Sequence, residues 1–244
     1  EDTATTISAQ TLLSNDTDVD NTASQLSIVA VSGATHGQVS LVNGNPVFTP
    51  ELNYSGSAQF TYTVSDGSGG TSTAVVNLTI NPVNDPPVAV SDSYSLNEDT
   101  ATTISAQTLL SNDTDVDNSA SQLSIVAVSG ATHGQVSLVN GNPVFTPELN
   151  YNGSAQFSYT VSDGSGGTST GVVNLTINPV NDPPVAVSDS YSLNEDTATT
   201  FSAQTLLSND TDVDNSASQL SIVAVSGATH GQVSLVNGNP VFTP

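Results

Sequence analysis

The sequence predicts an all-β chain built from antiparallel β-sandwich domains in tandem. Three observations carry that expectation. The chain repeats itself with a period of 97 residues, Glu1-Asp2-Thr3 returning as Glu98-Asp99-Thr100 and as Glu195-Asp196-Thr197. Apolar and polar residues alternate in short runs, the period-2 signature of half-buried strands. Asn-Gly and proline clusters punctuate those runs where turns are needed. A period this long means whole domains, each with its own core, and not solenoid units that need neighbours to close one.

The copies are nearly identical. The first two differ at Thr22/Ser119, Ser55/Asn152, Thr61/Ser158 and Ala74/Gly171, and the third departs from the second only at Ile104/Phe201 before it stops at Pro244. The punctuation NPVNDPPVA, at 81–89 and 178–186, reads as a short stiff linker, because paired prolines fix φ and remove donors. Boundaries are therefore expected after Asp85 and Asp182. That gives residues 1–85 as a repeat lacking its first strand, 86–182 as a complete repeat, and 183–244 as one truncated before its last two strands.

Within 86–182 the elements follow in order. PVAVSDSYSL and TATTIS supply two strands, and Thr108-Leu109-Leu110 a brief helical turn. SQLSIVAVSG offers Leu123, Ile125 and Ala127 on one face. GQVSLV and NPVFTP flank a hairpin turn at Asn140-Gly141-Asn142, residues that tolerate positive φ. In GSAQFSYTVSDG, Phe157, Tyr159 and Val161 face inward and Gln156, Ser158 and Thr160 outward. GVVNLTI places Val173, Leu175 and Ile177 inward. About seven short strands separated by turns argue for a sandwich.

Charge narrows the function. The 244 residues include no Lys or Arg and 23 Asp plus Glu, a formal net charge of −23. With no cation to neutralise phosphate, nucleic acid is excluded as a partner, and anionic membrane surfaces with it. No transmembrane run or leader is visible, so no membrane insertion is expected of this segment. Without Cys there is no disulfide, and any extra staple must be a bound metal. Nor does an enzyme emerge. His36, His133 and His230 stand alone in ATHGQV and read as turn or strand-end residues. No GxSxG occurs, and GSGG has no helix or Lys to make a phosphate cradle. Asn15-Asp16-Thr17 and Asn77-Leu78-Thr79 match glycosylation sequons, which chance produces easily in a Ser/Thr/Asn-rich chain.

Four acidic clusters recur instead: NEDT (97–100), NDTDVDN (112–118), VSDGSGG (161–167) and VND (180–182). Calcium takes six to eight oxygen ligands from carboxylates, amides and backbone. Asp113, Asp115 and Asp117 are two apart and can curl onto one ion. Without a cation, two like charges 4 Å apart repel by about 4 kcal/mol at an effective dielectric of 20. Spacing alone leaves a solvated acidic turn open as the alternative. The EF-hand pattern is not met.

FSYTVSDGSGGTSTGVVNLTINPVNDPPVA resembles the last two strands and linker of a cadherin repeat. The whole unit is similar to the cadherin-like tandem repeats of very large bacterial surface adhesins, and the EDT, NDTDVD, VSDG and NDPPVA motifs are jointly specific in this order. The resemblance implies a Greek-key sandwich of the cadherin/immunoglobulin-like type, in a linear rod with calcium between successive domains. Carried over, Glu1, Asn84, Asp85, Asp115, Asp117 and Asp163 would form one complete junction. Glu98, Asn181, Asp182, Asp212 and Asp214 would form a second. Asp18, Asp20 and Asp66 would belong to a junction with a preceding domain. Two departures imply fewer or weaker ions: Pro82 and Pro179 stand where the family has an Asp, and its Asp-Arg-Glu has no match beyond nearby Glu51 or Glu148.

The implied function is a non-enzymatic, calcium-rigidified spacer of a secreted or cell-surface bacterial adhesin, projecting a distal binding module. Its partners would be calcium ions and neighbouring repeats. The alternatives are a segment of an extracellular filament made of like chains, or a repeat that binds carbohydrate or a like copy through its side faces.

Overall fold

The computed structural model describes residues 1–244 and is dominated by strands. The chain divides into two compact units, residues 1–89 with 112–124 and 161–169, and residues 90–111, 125–160 and 170–244. Each is described in turn.

In the first unit β1 (Thr5–Thr6) precedes a one-turn helix α1 (Ala9–Leu12). β2 (Ser27–Thr35), β3 (Gly37–Val42), β4 (Asn45–Pro50), β5 (Gly56–Ser65) and β6 (Thr71–Ile80) follow. They form two sheets, β1-β4-β3 and β2-β5-β6. β3 and β4 are joined through Asn43 and Gly44 at φ 50° and 76°, with Val42 opposite Asn45. Both turn residues need positive φ, which Asn and Gly supply at least cost. Phe48, Phe60, Tyr62, Ile28, Leu13 and Ala58 make the core, and the Phe48 and Phe60 rings stack at 6.2 Å. Tyr62 keeps its hydroxyl satisfied by donating to the Asp16 carboxylate at 2.9 Å. Burial, then that bond, pushes the phenol up to about 12.

The second copy of the repeat, most of it in the second unit, is more complete: β7 (Asp92–Asn97), β8 (Thr102–Thr103), α2 (Ala106–Leu109), β9 (Ser124–Thr132), β10 (Gly134–Val139), β11 (Asn142–Pro147), β12 (Gly153–Ser162) and β13 (Thr168–Asn178). The sheets are β10-β11-β8 and β7-β13-β12-β9. The alternation read from the sequence is observed: Phe157, Tyr159, Val161 and Val173 are fully buried, with Leu175 and Ile177 close behind. One pairing is parallel, β7 running beside β13 from Asp92↔Val173 to Asn97↔Asn178.

One inward assignment is corrected. Ala127 is exposed, whereas Leu123 and Ile125 are buried. The identical segment of the first copy shows the cause: Ile28 pairs with Val64 and Ala30 with Thr63, so Val29 is an extra residue in the strand. Such a β-bulge shifts every later side chain to the other face, and Val31, not Ala30, packs on the core.

The third copy keeps β14 (Thr199–Thr200), α3 (Ala203–Leu206), β15 (Gln232–Val236) and β16 (Asn239–Thr243) in one sheet. Asp189–Asn194 and Ser221–Thr229 repeat the sequences of β7 and β9 but form no strand. Their counterparts sit in a sheet whose other members are β12 and β13, and the third copy stops at Pro244, before the residues corresponding to them.

Candidate metal centre

The first site lies wholly within the first unit, where the linker 81–85 meets the loops 112–118 and 161–167. Glu1 Oε1 accepts the Val83 N–H at 2.8 Å. Asp117 Oδ2 accepts the Asp85 N–H at 2.8 Å. Asp115 Oδ1 accepts from the backbone of Asp117 and Asn118, both at 2.8 Å, which curls the loop upon itself. Asn84 Nδ2 donates to Asp163 Oδ2 at 2.7 Å. Carboxylate oxygens of Glu1, Asp2 and Asp85 lie within 4.8 Å of one another.

The second site repeats this within the second unit. Glu98 Oε1 accepts the Val180 N–H at 2.7 Å, and Asp214 Oδ2 the Asp182 N–H at 2.7 Å. Asp212 Oδ1 accepts from the Asp214 and Asn215 backbone. Asn181 turns its amide onto the Asp182 carbonyl at 2.9 Å.

Electrostatics set these clusters apart from ordinary acidic loops. Desolvation, then Asp2, Asp117, Glu1 and Asp115, pushes the Asp85 carboxyl above the usual range. Desolvation, then Asp99, Asp214, Glu98 and Asp212, does the same to Asp182. Four carboxylate oxygens are buried without a hydrogen-bond partner: Asp85 Oδ2, Asp115 Oδ2, Asp182 Oδ2 and Glu98 Oε2. Glu98 is only 1 % exposed. A buried, unpartnered carboxylate is costly. Several converging in a chain without Lys or Arg fit the hard-oxygen donor set of a divalent cation such as calcium.

Not every acidic residue of the motifs points there. Asp163 is held by Asn84, then by the Ser165, Gly167 and Gly166 N–H groups, which keep it below the usual range despite burial. Asp18 is likewise lowered, chiefly by the Asp20 N–H. Asp18 and Asp20 are exposed, and half-buried Asp66 accepts from Ser68 and Gly70. The first Asp of NDTDVDN serves the sandwich: Asp16 receives the Tyr62 hydroxyl, and Asp210 accepts the Val187 N–H at 2.8 Å. Asp2, beside the expected Glu1, joins this carboxylate group although the motifs did not imply it; its adjacency in EDT was the available signal. His36 and His133 sit at φ 50° and stack on Tyr54 and Tyr151 at 4.1 and 4.0 Å. Each faces a glutamate, Glu51 or Glu148, at 3.4 Å.

The cadherin-like domain profile matches residues 1–81, 83–178 and 180–244, so the chain belongs to the cadherin-like domain family. No curated protein matches it. Among solved structures it is similar to the human desmocollin-1 ectodomain, at 15 % identity and a TM-score of 0.37, covering 93 % of this chain and 47 % of that one. The protocadherin gamma B4 extracellular domain gives 18 % identity and a TM-score of 0.47, covering 88 % and 38 %. Human CDH23 EC21-23 gives 15 % and 0.44, covering 90 % and 78 %. The chain thus spans about half the length of the desmocollin-1 ectodomain it matches.

Proposed function

We propose that these repeats are calcium-rigidified spacers of an extracellular, surface-attached protein, a bacterial adhesin in the reading its motifs favour. The repeat units are taken as 1–85, 86–182 and 183–244. Calcium would sit at each linker, held by Glu1, Asp85, Asp115 and Asp117 at one and Glu98, Asp182, Asp212 and Asp214 at the other. Asn84, Asn181 and Asp163 would shape the linkers, and Asp18, Asp20 and Asp66 would serve the equivalent site with a preceding repeat. When bound, the ion supplies the positive charge the chain itself lacks.

One observation carries the reading: partnerless, buried carboxylate oxygens recur at both linkers, at Asp85 and Asp182. They neutralise nothing and receive nothing, so a cation is the simplest species that turns their burial from a cost into a bond. Carbohydrate recognition is less favoured, because Phe48, Phe60, Phe145, Phe157 and Tyr159 are buried and Tyr54 and Tyr151 are stacked on histidines. The test is thermal unfolding of the full chain in chelator and in calcium. Extracellular calcium modules bind at about 10⁻⁴–10⁻³ M, and at 100 times the dissociation constant each site adds about 2.7 kcal/mol. A melting curve identical in both conditions rejects the metal.

A further inference from the structure

We infer that Asp2 and Asp99 are themselves ligands of the linker cation, each tying the ion to a turn of its own repeat. The inference rests on the calcium reading above and deepens it.

Both residues are held in a backbone conformation that L side chains seldom adopt, at φ 58°. Asp tolerates that region when its side chain bonds locally. Here one oxygen does: Asp2 Oδ1 accepts the Asn53 N–H and Asp99 Oδ1 the Asn150 N–H, each at 2.7 Å. That leaves the second oxygen of each carboxylate for another partner.

The neighbours of the Asp2 carboxylate are anions. Asp2 lies with Glu1 and Asp85, their carboxylate oxygens mutually within 4.8 Å. Two ligands of one calcium, each about 2.4 Å from it, can be at most about 4.8 Å apart, so the spacing of the three carboxylates is compatible with a shared ion. Asp99 stands beside Glu98 in the second copy of the motif, with the same φ and the same turn bond as Asp2. An independent sign of a ligand is Glu98, which is 1 % exposed, spends Oε1 on Val180 and has a buried Oε2 with no partner.

Asp2 and Asp99 also do what the nearby glutamates do not. Glu51 and Glu148 turn toward His36 and His133 and their side chains are 60 % and 61 % exposed. Their turns contribute the Asn53 and Asn150 N–H instead, and the aspartate relays the turn to the ion. Binding should therefore order residues 51–54 and 148–151.

The test is calorimetric titration of the full chain with calcium alone, for wild type and for Asp2→Asn, Asp99→Asn and Asp196→Asn. Asn keeps the acceptor for the turn and tolerates positive φ, so only the charge is lost, and melting in calcium-free buffer reports that each variant folds. Asp196 shares the φ of 58° and lies outside the two candidate sites, so its variant is the control. Two site classes are expected: Asp2→Asn should weaken one about tenfold, Asp99→Asn the other, and Asp196→Asn neither. Hydrogen exchange should show calcium-dependent protection of 148–151 in wild type, reduced in Asp99→Asn. Wild-type affinity in Asp2→Asn and Asp99→Asn would overturn the assignment while leaving the calcium reading intact. A wild-type chain that binds no calcium would overturn both.

Discussion

Replacing Glu98 by Gln should change the sign of its effect with calcium. The side chain is 1 % exposed; Oε1 accepts the Val180 N–H and Oε2 is buried without a partner. Gln keeps the first bond through its amide oxygen and replaces the orphan anionic oxygen with a neutral amide. An unsatisfied buried polar group costs about 1–3 kcal/mol, more when charged. In calcium-free buffer the variant should therefore be more stable than wild type by about that amount, which for a repeat of this size is several degrees at least. In saturating calcium the ligand is lost, and a tenfold weaker site removes about 1.4 kcal/mol of stabilisation. Glu98→Ala is the control: it loses the Val180 acceptor and should be destabilised in both buffers. Scanning calorimetry of the three proteins, with and without calcium, reads the effect. If Glu98→Gln lowers the melting temperature equally in both buffers, Glu98 is only a backbone clamp.

Further outcomes follow from the same structure. Asp115→Asn with Asp117→Asn should leave the core intact but loosen the proposed linker, and small-angle scattering in calcium should report a more flexible particle. Without calcium, pH acts through two opposed groups. The raised carboxyls of Asp85 and Asp182 hold protons more tightly when folded, so stability falls as pH rises from the unfolded value near 3.9 through their folded values. Lowered Asp163 contributes stability above about 3.9 that is lost as pH falls through its folded value. Mild acidification of the calcium-free chain should thus raise its melting temperature, whereas in limiting calcium it should lower it, which calorimetry across pH will show. Gly171→Ala would place a Cβ 2.5 Å from the Tyr159 ring, an overpacking that should cost about 1–3 kcal/mol in denaturant unfolding. Appending to Pro244 the residues that follow Pro147 in the second copy should convert Ser221–Thr229 to strand, seen as added β signal in circular dichroism.

Much of the fold was legible because the core residues obey one period. Phe157, Tyr159 and Val161 on one strand and Val173, Leu175 and Ile177 on the next alternate without interruption, and their burial follows. The bulge that exposes Ala127 was not legible, since an extra residue leaves composition unchanged and alters only register. Nor was the parallel pairing of β7 with β13, in which Asp92 meets Val173 from the far end of the repeat. The contrast between Ser124–Thr132 and Ser221–Thr229, one strand and one not, shows the same sequence obeying its partners and not its propensity. At the candidate site, motif spacing pointed to Asp115, Asp117, Asp212 and Asp214. It could not separate Asp16, which turns inward to Tyr62, from Asp18, which stays in the loop. It also passed over Asp2 and Asp99, which EDT places beside the expected glutamates but whose left-handed backbone the motif does not show.

At both linkers a cation is proposed to lie between oxygens that have no protein partner. Anomalous diffraction from crystals grown in saturating calcium addresses it directly. Peaks are expected about 2.3–2.6 Å from Asp85 Oδ2 and Asp115 Oδ2, and from Asp182 Oδ2 and Glu98 Oε2. Those four oxygens hydrogen-bonded only to water, with no anomalous peak beside them in calcium, would contradict it.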